Sequence, residues 1–340
     1  MNGFGSMLKD YLDYYKISQT DFADRIGVSS KHMNEILNEN TNISESVMLA
    51  ISFITDIDIN LIFYVENKKR IYEYLNKKYK TEKEIKEFLN SYYINEMYKK
   101  EWITLKDKTS LVQNTMDLLD YLSVKNFEVL DSYLSKRVLY KKSDSANMKK
   151  IYLWIKHCDK TIEKQEVESY NSSNLSKLLQ KLKVERNKTF NEDNLIKLFN
   201  KYGIYLSIED ALEGTKLRGC MMVKGTNPAI YMTKYLKDKA SFYYALYHEL
   251  SHIKTDYNKA KNKIIIDEEI DKLEKRADEF ALDQMIDNKV WEEILNNYNK
   301  RENICKKNFI PLSFLYSKLA YLGYIKYSSK EYNNHKEKIY

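Results

Sequence analysis

The chain has 340 residues and a net charge of +7, with 43% hydrophobic and 31% charged residues. This length can hold two or three domains, and the composition suits a soluble globular protein. No run approaches the roughly 18 uncharged apolar residues of a membrane helix, and the first residues lack the basic and apolar regions of a secretory signal.

Glycine, proline and cysteine are scarce. Two Pro and eight Gly in 340 residues favour long helices over a strand-and-turn architecture. Cys158, Cys220 and Cys305 are odd in number and far apart, which indicates reduced thiols in a cytoplasmic protein. We therefore expect a mainly α (α+β) fold, located in the cytoplasm and without a membrane partner.

A helix-turn-helix is predicted near the start of the chain. Ser18 can cap one helix and Ser29 a second, and Gly27 can take the positive φ of the turn between them. The inward positions are Phe22, Ala23 and Ile26 in the first helix and Met33, Ile36 and Leu37 in the second; Ser30, Lys31, His32 and Asn34 point outward. We assign this domain to residues 7–66 and treat residues 1–6 as a leader outside the fold.

These helices, with the run at 43–50 after them, resemble the repressor-type helix-turn-helix domains, including those of HigA-like antitoxins. The resemblance implies major-groove binding, with Gln19 near a phosphate and residues 30–34 near bases. Residues 7–66, however, carry four basic and ten acidic side chains, a net −6 that leaves +13 on the rest. That charge is poor for neutralising phosphates, although the basic run at 67–70 could contribute. DNA binding and a dimerisation or docking module of the same fold both stay open.

Residues 67–195 are charged with a helical pattern, and we expect an all-helical linker that can form a homodimer. Thr81 is placed to begin a helix, and residues 116–122 continue the pattern. The run at 143–147 is the best candidate for an internal loop. Trp102 and Trp154 are expected in the core.

A β-hairpin is predicted from two β-prone runs, at 217–223 and 229–233, around the turn at 224–228. The edge of such a strand, beside a metal-binding helix, can hold an extended peptide by main-chain hydrogen bonds. Cys220 in the first strand could approach a metal as an inhibitory thiolate, but a buried structural thiol is the favoured interpretation.

The run His248-Glu249-Leu250-Ser251-His252 contains the candidate metal ligands and the candidate general base. Two histidines four residues apart on a helix project from one face and can share a metal ion, and the glutamate beside the first can act as general base. The chain has five histidines, so a chance match is on the order of one in a hundred or less. The alternative is a solvated helical turn with two surface histidines.

A catalytic zinc needs a third protein ligand, and residues 268–286 offer it. Glu274 lies beside an apolar stripe, and Asp278, one turn further on, could orient a ligating histidine. The stripe is Ile270, Leu273, Ala277, Phe280 and Ala281. Glu269, Asp278 and Glu279 are alternative ligands, and Glu274 could instead be a solvated acid.

The hairpin, the histidine run and the segment at 274–281 together resemble the ImmA/IrrE family of metallo-endopeptidases over residues 196–290. The run at 311–325 resembles the C-terminal helix of longer members. The resemblance implies a gluzincin-like zinc site, with His248, His252 and Glu274 as ligands, Glu249 as general base and Asp278 behind the ligands. Ser251, where the family usually has glycine, and the cations Lys275 and Arg276 depart from the family pattern.

The sequence thus predicts a helix-turn-helix at 7–66, a helical linker at 67–195, a zinc metallopeptidase at 196–300 and a C-terminal helical extension at 301–340. The leading hypothesis is a regulatory endopeptidase that cleaves a repressor or antitoxin protein. The alternative is a HigA-like DNA-binding antitoxin or repressor whose metallopeptidase fold acts as a sensor or docking module without turnover. A toxin is a further candidate partner.

Overall fold

A computed structural model of the chain describes residues 3–124, 126–127, 129, 138–139, 145–215, 217–260, 264–266 and 272–339. The chain folds as two compact units, Met1–Lys125 and Asn126–Tyr340. The division falls inside the predicted linker at 67–195, whose first part belongs to the N-terminal unit and whose remainder belongs to the C-terminal unit. The other domain boundaries stay predictions.

The N-terminal unit is built from helices. In chain order they are α1 (Phe4–Tyr15), α2 (Gln19–Ile26), α3 (Ser30–Leu37), α4 (Glu45–Thr55), α5 (Ile59–Lys78), α6 (Glu82–Asn90), α7 (Ile94–Lys99) and α8 (Leu111–Leu122). Apolar side chains of α1 to α5, such as Phe4, Phe22, Met33, Ile51 and Ile62, form one buried cluster. The helical interpretation of this region is confirmed.

The predicted start and stop signals of α2 and α3 are confirmed. The Ser18 hydroxyl accepts a hydrogen bond from the amide of Asp21, and that of Ser29 from the amide of His32. Gly27 ends α2 with a φ of 71°, in the left-handed region. Each capping hydroxyl satisfies one of the amides that the first turn of a helix leaves without an intrahelical partner.

The prediction that residues 1–6 lie outside the fold is wrong for residues 3–6, which the structure describes. Helix α1 begins at Phe4, which is fully buried. Carboxylate oxygens satisfy the first amides of the helix: Glu39 accepts from Gly3 and Ser6, and Glu66 accepts from Phe4. Two acids at a helix N-terminus also complement its dipole.

The C-terminal unit combines helices with one small sheet. Its helices are α9 (Ser145–Ile162), α10 (Leu175–Glu185), α11 (Glu192–Lys201), α12 (Lys239–Ala260), α13 (Lys272–Met285), α14 (Asn288–Asn296), α15 (Arg301–Lys307), α16 (Leu312–Tyr321) and α17 (Lys330–Asn334), and its strands are β1 (Val138–Leu139), β2 (Tyr205–Glu209), β3 (Gly219–Lys224), β4 (Asn227–Thr233) and β5 (Ile264–Ile266). The mainly α fold class with a small sheet is confirmed.

The sheet has the strand order β1-β5-β3-β4-β2. Strands β3 and β4 form the predicted hairpin, antiparallel from the pair Gly219–Met232 to the pair Lys224–Asn227. Strand β2 adds parallel to β4, and β5 adds antiparallel to β3. The hairpin therefore lies inside the sheet.

The two faces of the sheet pack against different helices. Met221, Ile230 and Met232 belong to a core cluster that also holds Leu246 and Leu250 of α12. Side chains alternate along a strand, so the intervening residues face the other way. There the Ser207 hydroxyl bonds that of Thr161 of α9 at 2.7 Å, and the Tyr231 hydroxyl donates to Asp159 of α9 at 2.6 Å.

The linker region follows its predictions in part. Thr81 caps α6 as expected, and Trp102 and Trp154 are buried. The region is not all helical, because β1 lies within it. The loop expected at 143–147 is wrong from Ser145 onward, where α9 begins, and residues 143–144 lie outside the described part of the chain.

The three cysteines are free and buried, which confirms the expectation of thiols without a disulfide. Across the described ranges, no helix is both long enough and apolar enough to cross a bilayer.

Candidate metal centre

Helix α12 carries the two histidines and the glutamate between them into the interior. His248, Glu249 and His252 are each at most 2% exposed. The aromatic and aliphatic run before and between them, including Tyr243, Leu246, Tyr247 and Leu250, anchors the helix in the core. The alternative of two solvated surface histidines is therefore wrong.

Helix α13 brings Glu274 to the same place. The Glu274 Oε2 atom lies 2.9 Å from His248 Nε2, and Oε1 lies 3.4 Å from His252 Nε2. The two helices pack against each other, and Ala277 and Ala281 of α13 are buried. Lys275 and Arg276, which the sequence places beside Glu274, are exposed.

The two histidines and Glu274 form a group that fits one metal ion. Their ligand atoms all lie within 4.8 Å of one another, and the two Nε2 atoms are 3.2 Å apart. Bonds of about 2.0–2.1 Å in a tetrahedron separate ligand atoms by about 3.3 Å, close to the distances observed here. Two neutral nitrogens and one carboxylate are a donor set that zinc accepts. The residues present therefore fit a metal ion.

Each histidine is oriented by a carboxylate on its other ring nitrogen. His248 Nδ1 lies 2.9 Å from Asp278 Oδ1, and His252 Nδ1 lies 3.2 Å from Asp256 Oδ2. A carboxylate at Nδ1 holds that nitrogen protonated, so the lone pair is at Nε2 and faces the group. The sequence analysis predicted that Asp278 orients a ligating histidine. It missed Asp256, although Asp256 follows His252 by four residues and so lies on the same helical face.

Two tyrosines hold Asp278 in turn. The hydroxyls of Tyr244 and Tyr321 both donate to its carboxylate, Tyr321 at 3.1 Å, and they lie 3.0 Å from each other. Burial disfavours the charge on Asp278, but hydrogen bonds from His248 and Tyr244 hold its pKa below the ordinary value. Burial and the bond to Asp278 raise the pKa of Tyr244, so its hydroxyl stays a donor. Sequence reasoning missed both tyrosines.

Glu249 lies against the first residue of β3. A Cβ on Gly219 would be 3.3 Å from Glu249 Cγ and 3.0 Å from Met232 Sδ, so glycine allows the close approach of strand and glutamate. Cys220, the next residue, occupies the opposite face of the strand. Burial and the charge of Glu249 raise the pKa of its thiol well above the ordinary value. The structure thus supports the buried structural thiol and not the inhibitory thiolate.

Of the other candidates for third ligand, the two that the structure describes, Asp278 and Glu279, do not join the group. Asp278 contacts the Nδ1 side of His248, Glu279 is exposed, and Glu269 lies outside the described residues. Glu274 is not a solvated acid, since its side chain is 14% exposed. Of the apolar stripe, Ala277 and Ala281 are buried, while Ile270 is outside the described residues.

The expectation that the hairpin offers a free edge for an extended peptide is wrong at its centre. Cys220 and Met221 of β3 pair with Ile266 and Ile265 of β5. On its other side β3 pairs with β4 along its whole length. The main-chain groups at the middle of β3 are thus already used within the sheet.

In the N-terminal unit, the proposed DNA contacts cluster at the start of α3. Ser30, Lys31 and Asn34 are exposed, and His32 is half-buried with Nδ1 3.7 Å from Glu35. The Gln19 side chain donates to the carbonyl of Ser30 at 3.2 Å, so it joins α2 to the first turn of α3.

Two cations of the basic run at 67–70 serve the fold. Lys69 is buried, with Nζ 3.7 Å from Glu39 and 3.9 Å from Glu73. Arg70 donates to the carbonyl of Ile43 at 3.1 Å. Lys69 is thus engaged within the fold, whereas Lys68 is half-buried and Arg70 is exposed, so the contribution of these two cations to phosphate binding stays a prediction.

Comparisons of the chain with protein-family models, with curated protein sequences and with solved structures found no match.

Proposed function

We propose that the chain is a zinc-dependent endopeptidase that acts on a protein in the cytoplasm. The observation that supports this most is the convergence of His248 Nε2, His252 Nε2 and the Glu274 carboxylate in a buried group. A carboxylate on each Nδ1 is the arrangement by which proteins orient metal-binding imidazoles. Glu249 is buried between the two histidines. A hydrolytic metal site needs such a general base, whereas a structural metal site does not.

The side chains have distinct roles in this proposal. His248, His252 and Glu274 would hold the ion, and zinc when bound supplies Lewis acidity toward a peptide carbonyl and toward water. The Glu249 carboxylate accepts a proton from the attacking water and passes it to the leaving nitrogen. Asp278 and Asp256 keep both imidazoles in the ligating tautomer, and Tyr244 and Tyr321 keep Asp278 in place. By resemblance, the substrate is a repressor or an antitoxin.

Glu249→Gln tests the proposal, because the amide keeps the shape but cannot take the proton. We expect both forms to bind zinc and only the wild type to generate cleaved proteins, measured by comparing the protein termini of cells that express each form. Glu292→Gln, a change at an exposed acid of α14, is the matched control and should behave as the wild type. Wild type without zinc, or identical termini in all three samples, would contradict the proposal.

The alternative function is a DNA-binding antitoxin or repressor whose metallopeptidase fold works without turnover. The same experiment distinguishes the two, since this alternative expects zinc binding in both forms and no fragments in either. The acid at Glu249 favours turnover, because a docking module has no need of a general base between its ligands.

DNA binding by the N-terminal unit is a second proposal. It is supported by the exposed start of α3, where Ser30, Lys31 and Asn34 follow the capped turn. We expect a shift of the DNA upstream of the gene at low salt, weakened at higher salt, as phosphate contacts require. Lys31→Ala should reduce the shift, and Lys99→Ala, an exposed lysine of α7, should not. No shift at low salt would leave the dimerisation or docking module as the role of this fold.

A further inference from the structure

A cavity of about 270 Å³ opens beside the metal centre. Tyr244 of α12, Leu282 and Met285 of α13, and Ser317 and Tyr321 of α16 line it. An apolar cavity of roughly 150 Å³ already holds a benzene ring, so this one has room for a large side chain.

The cavity shares two walls with the metal centre. Tyr244 and Tyr321, which line it, both bond the Asp278 carboxylate that orients His248. Arg218, also in the lining, directly precedes Gly219, which lies against Glu249. The cavity therefore borders both the tyrosines that hold Asp278 and the start of the strand that lies against Glu249.

The residues that line the cavity favour an apolar group inside it, and the charged residue of the lining lies at its rim. Leu236, Leu282 and Met285 supply aliphatic surface, and the tyrosines supply ring faces. Arg218, the charged residue among the described lining groups, is exposed at the rim. Tyr321 and Tyr327 are 41% and 52% exposed, so the entrance is aromatic, which is typical of surfaces that bind protein segments.

We propose that this cavity is the specificity pocket of the peptidase and takes a large aromatic or aliphatic side chain next to the scissile bond. The role of the pocket in choosing a cleavage site rests on the proposed function. The binding of an apolar group beside the metal group can, however, be measured without turnover. The pocket would make the enzyme choose its cleavage site by one bulky apolar residue in an exposed segment of its protein substrate.

Two hydroxamates that differ by one phenyl group test the pocket. Propanohydroxamate reports the metal group alone, and 3-phenylpropanohydroxamate adds a ring that can enter the cavity. On the zinc-loaded chain we expect the phenyl compound to bind at least about tenfold tighter by calorimetry, as burial of an aromatic ring provides. Equal affinities would overturn the proposal.

Variants of the lining residues test whether the phenyl group binds in this cavity. Leu282→Trp and Ser317→Leu fill the cavity from two walls, and each should bring the affinity ratio of the two compounds toward one. Val184→Trp adds the same indole on the exposed face of α10 and should keep the wild-type ratio. Circular dichroism checks that each variant folds, and a full phenyl effect in both folded cavity variants would overturn the assignment.

A metal-free measurement separates this proposal from the proposed function. If neither hydroxamate binds, the proposed metal centre is wrong. Binding of p-cresol to the cavity of the metal-free chain is then measured by changes in NMR chemical shifts. Binding that Leu282→Trp or Ser317→Leu abolishes would support an apolar pocket, and no binding to the wild type would overturn it.

Discussion

Asp256 lies one helical turn beyond His252 and is almost fully buried with it. Its Oδ2 atom faces His252 Nδ1 at 3.2 Å and also accepts from the Thr255 hydroxyl at 2.8 Å. We expect Asp256→Asn to weaken zinc binding by about 10- to 100-fold, because the imidazole loses the partner that fixes its tautomer. Competition with a chelator of known affinity measures the change.

The control for this prediction is an acid of the same type away from the group. Asp193→Asn, at an exposed position in the first turn of α11, should leave zinc affinity at the wild-type value. If Asp256→Asn and Asp193→Asn bind zinc equally well, Asp256 does not orient the ligand.

At the scale of single residues, the candidate site was predictable where helical spacing alone defines it. His248, Glu249 and His252 follow from positions four apart on one helix, and Glu274 with Asp278 follows from the next helical face. The spacing of Asp256 carried the same signal. Tyr321 could not be found this way, because it reaches Asp278 from 43 residues further along the chain, and only the packing of α16 brings it there.

Helix α13, which carries Glu274 and Asp278, ends in a cluster of cations. Lys318 Nζ donates to the carbonyls of Leu282 and Ile286, and the Arg186 guanidinium donates to those of Gln284 and Met285. The last carbonyls of a helix lack intrahelical donors, and positive charge there complements the helix dipole. These two side chains therefore fix the end of the helix on which the metal group depends.

Lys318 makes stability depend on pH. Burial lowers its pKa to about 8 from 10.5, against the opposing charges of Asp283 and Asp287, and Nζ lies 4.8 Å from the ring of Trp291. Between about pH 8 and 10.5 the unfolded chain binds more protons at this lysine than the folded chain, so stability rises with pH in that window. At about 1.4 kcal/mol for each pH unit between the two pKa values, the full gain is on the order of 3 kcal/mol.

Urea unfolding from pH 7.5 to 10 checks this expectation. Lys318→Met should flatten the rise in the free energy of unfolding, whereas Lys307→Met, at an exposed lysine of α15, should keep it. All three chains contain the same tyrosines, so we assign the difference between the curves to Lys318. Parallel curves for Lys318→Met and wild type would show that the lysine has an ordinary pKa.

Among the elements, those with strong local signals were predictable. The hairpin follows from its turn, where Gly225 takes a φ of 61°, and α2, α3 and α6 follow from their capping hydroxyls. The loop expected at 143–147 fails because serine, aspartate and asparagine favour helix starts as well as turns. Strand β2 pairs in parallel with β4 from more than 20 residues away, a contact that no local pattern specifies.

At the scale of the molecule, the candidate ligands all belong to one unit. His248, His252 and Glu274 lie in Asn126–Tyr340, while α2 and α3 lie in Met1–Lys125. A ligand that binds only the folded form stabilises the part that binds it, by about 2.7 kcal/mol at a concentration one hundred times its dissociation constant. Zinc should therefore stabilise the C-terminal unit selectively.

Amide hydrogen exchange with and without zinc measures this selectivity. We expect the core amides of α12 and α13 to exchange about one hundred times more slowly at that zinc concentration, because they exchange through unfolding of the unit that zinc stabilises. The amides of α2 and α3 should keep their rates, and His252→Ala, which removes one ligand, should lose most of the effect. Equal slowing in α2, α3, α12 and α13 would mean that zinc stabilises the whole chain as one cooperative unit.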